Sequence, residues 1–123
     1  MADYIQLKHS EHVTEIMLNR PEKKNAITME MYNTMTAALQ EAKEDNAIRV
    51  VSIRGVQDCF TSGNDIADFL QNPPSSSNSP VLSFLNEIIN FPKPIVAAVD
   101  GLAIGIGTTM LLHCDLVYAS EAA

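Results

Sequence analysis

The stretch that decides the fold of this chain is residues 92–107, PKPIVAAVDGLAIGIG, in which an apolar run leads into a glycine-bearing turn. The run at residues 95–99 has the length of a strand and is apolar throughout, which predicts a buried parallel strand. Residues 60–65, FTSGND, form a second glycine-bearing turn after another apolar run. Each turn offers a backbone N–H that no bulky side chain needs to cover. Two such groups converging on one point form an oxyanion hole, which stabilises negative charge on a carbonyl oxygen.

On the N-terminal side of these turns, the pattern changes from strand to helix. Residues 4–8 and 12–18 alternate apolar and polar side chains, which predicts a β-hairpin. Thr28 is a good N-cap residue for a helix that runs to about Glu44. The apolar face of this helix is predicted from residues at spacings of three and four, namely Tyr32, Met35, Leu39 and Ala42.

The remaining elements alternate strands with helices. Strands are predicted at residues 48–54, 95–99 and 116–119, and helices at 81–90 and 105–113. Between them, residues 60–63 are predicted to be a short extended piece and residues 66–70 a short helix or turn. In the helix predicted at 81–90, apolar side chains recur at helical spacing, namely Leu82, Leu85, Ile88 and Ile89. The order ββα, β, α, β, α, β indicates an α/β fold in which crossover helices join parallel strands.

Composition narrows the classes of function. The 123 residues are enough for one domain, residues 1–123, and their net charge of −7 argues against nucleic acid or an anionic membrane as a partner. No apolar run is long enough to span a bilayer, and the N-terminus lacks the apolar segment of a signal peptide. Residues 71–80, QNPPSSSNSP, are of low complexity and are predicted to form a flexible loop within the domain.

Cysteines and basic residues leave some alternatives open. Cys59 and Cys114 lack metal-ligand spacing, so we expect no metal site and interpret them as buried free thiols, rather than as a disulfide or a nucleophile. Arg20, Lys23 and Lys24 form a local basic cluster in an acidic chain. This cluster fits either a site for an anionic ligand or a solvated turn, and the sequence does not separate the two.

Residues 18–27 (LNRPEKKNAI), residues 60–65, residues 92–107 and residues 114–120 (CDLVYAS), in this order and spacing, resemble the crotonase superfamily of enoyl-CoA hydratases and isomerases. The resemblance covers essentially the whole chain and matches it to the first half of such a protein. It implies a spiral of ββα units, acyl-CoA thioester substrates, and homotrimers or dimers of trimers. Coenzyme A would enter as part of the substrate, with no separate cofactor and no metal.

The resemblance also implies which residues form the site. The two oxyanion-hole donors would be the backbone N–H groups of Asn64 and Ile106, the latter in the first turn of a helix, where N–H groups are unpaired. Basic side chains among Arg20, Lys23 and Lys24 would face the phosphates of coenzyme A. Asp65 also fits a structural cap for the turn that follows it. Substrate contacts are implied for Lys24, Ala26, Ser62, Gly63, Asp65, Ile66, Gly105 and Thr109.

Position 109 separates the subfamilies that this resemblance includes. The hydratases carry a catalytic glutamate there, whereas this chain has Thr109, which cannot act as a general acid or base near neutral pH. The Δ3-Δ2-enoyl-CoA isomerases lack that glutamate and move a proton from C2 to C4 with one carboxylate from the second half of the chain. The resemblance therefore favours an isomerase that works through an enolate, with its general base outside residues 1–123.

Two other functions remain open at this point. One is an enoyl-CoA hydratase or another crotonase-type lyase or hydrolase, and the other is a non-catalytic fragment that binds acyl-CoA or a protein partner. A carboxylate placed opposite the oxyanion hole would favour an enzyme, and an apolar residue there would favour the fragment. We expect a cytoplasmic location, or a peroxisomal one in a eukaryote.

Overall fold

A computed structural model of the chain describes residues 3–71 and 79–123. Its elements are, in chain order, β1 (Ile5–Ser10), β2 (Val13–Leu18), a short 3-10 turn (Pro21–Lys23), α1 (Met29–Glu44), β3 (Val50–Arg54), β4 (Cys59–Thr61), α2 (Ile66–Gln71), α3 (Pro80–Ile89), β5 (Ile95–Val99), β6 (Leu102–Ala103), α4 (Ile106–Leu111) and β7 (Leu116–Ala119). Most of the predicted loop, residues 72–78, lies outside the described residues. Of its ends, Gln71 closes α2 and Pro80 opens α3.

The main sheet has five strands in the order β1-β2-β3-β5-β7. The first two form the predicted antiparallel hairpin, with Ile5 opposite Leu18 and Ser10 opposite Val13. The pairs β2–β3, β3–β5 and β5–β7 are parallel. Parallel neighbours require crossover connections, and α1, α3 and α4 lie in these connections. The predicted α/β class is therefore confirmed.

Helix α1 packs its apolar face into the core. The side chain of Thr28 accepts a hydrogen bond from the Met31 N–H at 3.1 Å, which confirms the predicted N-cap. The predicted apolar face is buried, and the centre of the Tyr32 ring lies 5.5 Å from the centre of the Phe84 ring in α3. At the other end of the helix, the ammonium group of Lys93 donates hydrogen bonds of 2.6–2.8 Å to three carbonyl oxygens, those of Ala42, Asp45 and Ile48.

Helices α3 and α4 differ in detail from the sequence-based expectation. In α3 the buried side chains are Phe84 and Ile88, while Leu82 and Ile89 are exposed, because α1 contacts a neighbouring stripe of the same helix. Helix α4 ends at Leu111, earlier than predicted. Its chain continues in a tighter turn, in which each N–H of residues 112–114 bonds to the carbonyl three residues before it.

A second, two-stranded sheet positions the candidate site. Strands β4 and β6 pair in parallel, with Cys59 opposite Leu102 and Thr61 opposite Ala103. Each strand ends immediately before one of the two glycine-bearing turns. Because neighbouring parallel strands end at the same edge of a sheet, this pairing brings the two turns together.

Candidate functional site

The two glycine-bearing turns are in van der Waals contact. The Ile104 N–H donates to the Thr61 carbonyl at 3.0 Å, which extends the β4–β6 pairing into the turns. A Cβ atom placed on Gly63 would lie 3.3 Å from the Ile104 carbonyl oxygen, and one placed on Gly105 would lie 4.0 Å from the Gly63 Cα. Asn64 and Ile106 therefore follow two backbone segments that touch each other.

The backbone N–H of Asn64 donates no hydrogen bond within residues 3–71 and 79–123. The residues on both sides of Asn64 are fixed by hydrogen bonds. The Gly63 N–H donates to the Thr61 hydroxyl at 3.1 Å, and the Asp65 N–H donates to the Ile27 carbonyl at 2.9 Å. Asn64 is exposed, so an outside acceptor can reach its N–H.

The backbone N–H of Ile106 is likewise without an acceptor among the described residues, because Ile106 is the first residue of α4. Gly105 precedes it with φ +61° and ψ −121°, a conformation that residues with a Cβ rarely adopt. Two residues on, a Cβ at position 107 would lie 2.5 Å from the Thr61 methyl group. Glycine at both positions therefore lets α4 begin here, close against β4.

Asp65, the carboxylate next to Asn64, is engaged in structural contacts. One oxygen accepts from Arg20 Nη1 at 2.6 Å, and the other accepts from the Asp68 N–H at 2.9 Å. The Asp68 N–H and the Arg20 guanidinium lower the pKa of Asp65 below its usual value. A carboxylate with a lowered pKa is a weak base. Asp65 caps the start of α2, as the sequence predicts, and is poorly suited to remove a proton.

Arg20 faces inward, contrary to the expectation that it serves as a phosphate contact. Besides Asp65, its guanidinium donates to the Ala26 carbonyl at 3.0 Å and lies 5.0 Å from the centre of the Tyr4 ring. Only 12% of its side chain is exposed. Of the basic cluster, Lys23 and Lys24 remain exposed.

Asn25 fastens residues 20–26 to the start of β4. Its buried amide nitrogen faces three carbonyl oxygens at 3.0–3.3 Å, those of Leu18, Cys59 and Phe60. Its side-chain oxygen accepts from the Arg20 N–H at 2.6 Å. Next to it, the Lys24 carbonyl accepts from the Ser62 N–H at 3.0 Å. The sequence predicted a polar turn here, but two of the three carbonyl partners of Asn25 are more than 30 residues away, and no local pattern identifies them.

The other residues implied by the resemblance lie around these turns. Lys24 is exposed, Ala26 and Ser62 are half-buried, and Ile66 is 75% exposed on α2. Thr109 is exposed one turn into α4, where its hydroxyl donates to the Gly105 carbonyl at 3.3 Å. The fold thus places Lys24 and Ser62 side by side and the two turns in contact. The substrate contacts of all these residues stay predictions.

The cysteines lack the properties of nucleophiles. Both are free, and burial raises the pKa of the Cys59 thiol. Burial and the neighbouring carboxylate of Asp115 raise the pKa of Cys114 to about 11. Within the described ranges, no group of three or more His, Cys, Asp or Glu side chains is arranged to hold a metal ion. Nor does any helix there have the length and apolar character needed to cross a membrane.

Comparison with known proteins gives matches along nearly the whole chain. Residues 8–123 match the family model described as enoyl-CoA hydratase/isomerase. Human enoyl-CoA delta isomerase 2 is 44% identical over 118 residues, which are 90% of this chain and 30% of that protein. Mouse "Enoyl-CoA delta isomerase 3, peroxisomal" is 40% identical over 117 residues, 90% of this chain and 37% of that protein.

Among solved structures, Pseudomonas aeruginosa OdaA has 51% sequence identity and a TM-score of 0.93, over 98% of this chain and 49% of that one. The chain spans less than half the length of each of these three relatives. The match confirms the resemblance carried by the two glycine turns and by residues 18–27. This chain belongs to the enoyl-CoA hydratase/isomerase family.

Proposed function

We propose that the complete protein is an enoyl-CoA isomerase, which shifts a double bond from Δ3 to Δ2 in fatty acyl-CoA thioesters. The observation that carries this proposal is the pair of backbone N–H groups, of Asn64 and Ile106, that have no acceptor in the described part of the chain and follow two contacting turns. Such donors act when negative charge develops on the thioester oxygen. The loss of one donor of this kind typically lowers the rate by about 10²–10³-fold.

The reaction needs one base and no water. The base takes a proton from C2, and the electrons of that C–H bond pass to the thioester oxygen, which gives a dienolate held by the two N–H groups. The same base then returns the proton at C4, while the double bond forms between C2 and C3. Asp65 is held by Arg20 and has a lowered pKa. We therefore assign the base to a carboxylate outside residues 1–123.

Thr109 supports isomerisation over hydration. Addition of water in the hydratases requires a glutamate at this position, and the Thr109 hydroxyl instead bonds to the helix backbone. The printed names of the human and mouse relatives, both enoyl-CoA delta isomerases, point the same way.

Coenzyme A would bind as part of the substrate along residues 24–26 and 62–66, with Lys23 and Lys24 near its phosphates. For the complete protein we propose a homotrimer or a dimer of trimers. One relative carries the word "peroxisomal" in its name and others the word "mitochondrial". For this protein we propose the cytoplasm, or the peroxisome in a eukaryote.

The test is to incubate the purified full-length protein with a 3-enoyl-CoA and to separate the products by chromatography with mass detection. An isomerase gives a 2-enoyl-CoA of unchanged mass, whose double bond is conjugated with the thioester and is followed by ultraviolet absorbance. A product heavier by one water, formed from 2-enoyl-CoA at a higher rate than isomerisation, would identify a hydratase. Binding of acyl-CoA without any turnover would contradict catalysis and favour a binding protein.

A further inference from the structure

We propose that Thr61 is a positioning residue whose hydroxyl fixes the direction of the Asn64 N–H donor, an inference that rests on the proposed function. Thr61 is the last residue of β4, and none of its surface is exposed to solvent. A buried hydroxyl requires partners, because burial of a polar group without hydrogen bonds is unfavourable. The partners of this one are the segments that build the candidate site.

The hydroxyl of Thr61 joins two of these segments. It donates to the Asn25 carbonyl at 2.6 Å and accepts from the Gly63 N–H at 3.1 Å. A hydroxyl has one proton, so donation to Asn25 leaves a lone pair for Gly63. The Thr61 hydroxyl is therefore the donor to Asn25 and the acceptor from Gly63, and it cannot exchange these two roles.

The contact with Gly63 controls the direction of the Asn64 N–H. The Gly63 carbonyl and the Asn64 N–H belong to one planar peptide unit. That unit is held on its carbonyl side by the Ile27 N–H at 2.8 Å. The preceding peptide unit, which ends in the Gly63 N–H, is held by the Thr61 hydroxyl. Two consecutive peptide planes are thus fixed, although Gly63, with φ +103°, has the backbone freedom of glycine.

The rest of Thr61 holds the second turn. Its carbonyl accepts from the Ile104 N–H at 3.0 Å, two residues before Ile106. Its methyl group lies where a Cβ on Gly107 would come within 2.5 Å, so the methyl packs closely against α4 at Gly107. The Thr61 side chain therefore contacts both turns. Its hydroxyl accepts from the Gly63 N–H, and its methyl lies beside Gly107.

This separation provides a matched pair of variants. Thr61→Val keeps the shape and the methyl and removes the hydroxyl, whereas Thr61→Ser keeps the hydroxyl and removes the methyl. In the full-length protein we expect Thr61→Val to lower kcat for 3-enoyl-CoA by about 10- to 100-fold, with a much smaller change in KM. Thr61→Ser should stay within about fivefold of wild type, because it keeps the hydrogen bonds that orient Gly63.

A second readout does not depend on turnover. Butanoyl-CoA labelled with ¹³C at the thioester carbonyl lacks the double bond and cannot isomerise. Hydrogen bonds to its oxygen weaken the C=O bond, so isotope-edited infrared spectroscopy should show a lower stretching frequency on binding to wild type and Thr61→Ser. With Thr61→Val this shift should be smaller. If Thr61→Val does not fold, Thr61→Cys replaces it, since a thiol is close in size to serine but a weaker hydrogen-bonding group.

The outcomes are separable. Equal kcat and equal carbonyl shift in Thr61→Val and wild type would overturn the inference, and so would a loss in Thr61→Ser as large as in Thr61→Val. A wild-type protein that shifts the carbonyl but does not isomerise 3-enoyl-CoA would refute the proposed function and leave the positioning role standing. A wild-type protein that binds butanoyl-CoA without any shift would refute the positioning role as well.

Discussion

The hydroxyl of Tyr32, a fully buried residue of α1, donates a hydrogen bond to the side-chain oxygen of Asn64. Burial raises the pKa of Tyr32 above its ordinary value, so the phenol remains protonated and acts as the donor. The Tyr32 ring also packs on Phe84 of α3. An exposed residue of the candidate oxyanion site is thereby attached directly to the hydrophobic core.

Removal of this hydroxyl should destabilise the protein slightly. Tyr32→Phe keeps the ring in place, so we expect the free energy of unfolding to fall by about 1 kcal/mol, the net contribution of a neutral hydrogen bond. Urea unfolding of Tyr32→Phe, Asn64→Ala and the double variant completes a thermodynamic cycle, and we expect a coupling of about 0.5–1.5 kcal/mol. Strictly additive effects would show that the two side chains do not interact in solution.

Two substitutions at Asn64 distinguish a role of its side chain from a role of its backbone N–H. Asn64→Ala keeps the N–H and loses the hydrogen bond with Tyr32, so kcat of the full-length protein should fall by less than about tenfold. Asn64→Pro removes the N–H and should lower kcat by about 10²–10³-fold. Steady-state kinetics with 3-enoyl-CoA, on variants whose folding is checked by circular dichroism, distinguishes the two. Similar losses from both variants would argue against the backbone donor.

The ion pair of Arg20 and Asp65 should give a pH-dependent contribution to stability. The folded pKa of Asp65 is lowered, first by the Asp68 N–H and then by Arg20, so its stabilisation is present above the unfolded pKa of about 3.9. It is lost as the pH falls through the lower folded value. Asp65→Asn keeps a good N-cap residue and removes the charge.

We therefore expect Asp65→Asn to be less stable than wild type by about 1.5–3 kcal/mol at pH 7, the range for hydrogen bonds to charged groups. This difference should shrink as the pH is lowered below 4. Urea unfolding at several pH values measures it, with Glu22→Gln, an exposed carboxylate on the turn that follows Arg20, as the control. A difference that is constant with pH would contradict a role for the charge.

Gly105 should tolerate no side chain. Its φ of +61° with ψ of −121° lies outside the regions open to other residues, so Gly105→Ala should lower the free energy of unfolding by about 1–3 kcal/mol. It should also lower kcat, because relief of the strain moves the Ile106 N–H that follows. Ser83→Ala, at an exposed position in α3, serves as the control and should change stability by less than about 0.5 kcal/mol. Full stability and activity of Gly105→Ala would refute this account of the turn.

Local patterns predicted most of the elements, because a strand or an amphipathic helix is encoded in residues near each other in the chain. The hairpin of β1 and β2 and the start of α1 after Thr28 were predicted in this way. The face of α3 was not. Leu82, Leu85 and Ile89 fit helical spacing as well as Phe84 and Ile88 do, and the contact with α1 decides between the two faces.

The sequence by itself determined the order of the main-sheet strands and of the helices between them, the two glycine turns and the family resemblance, since all of these depend on residue type and spacing. Only the tertiary structure decided which side chains contact each other around the site. The inward position of Arg20 depends on Asp65, 45 residues away, and Asn64 meets Tyr32 across 32 residues. Contacts of this kind form when the parallel pairing of β4 and β6 and the packing of α1 bring distant segments together, and no local pattern encodes them.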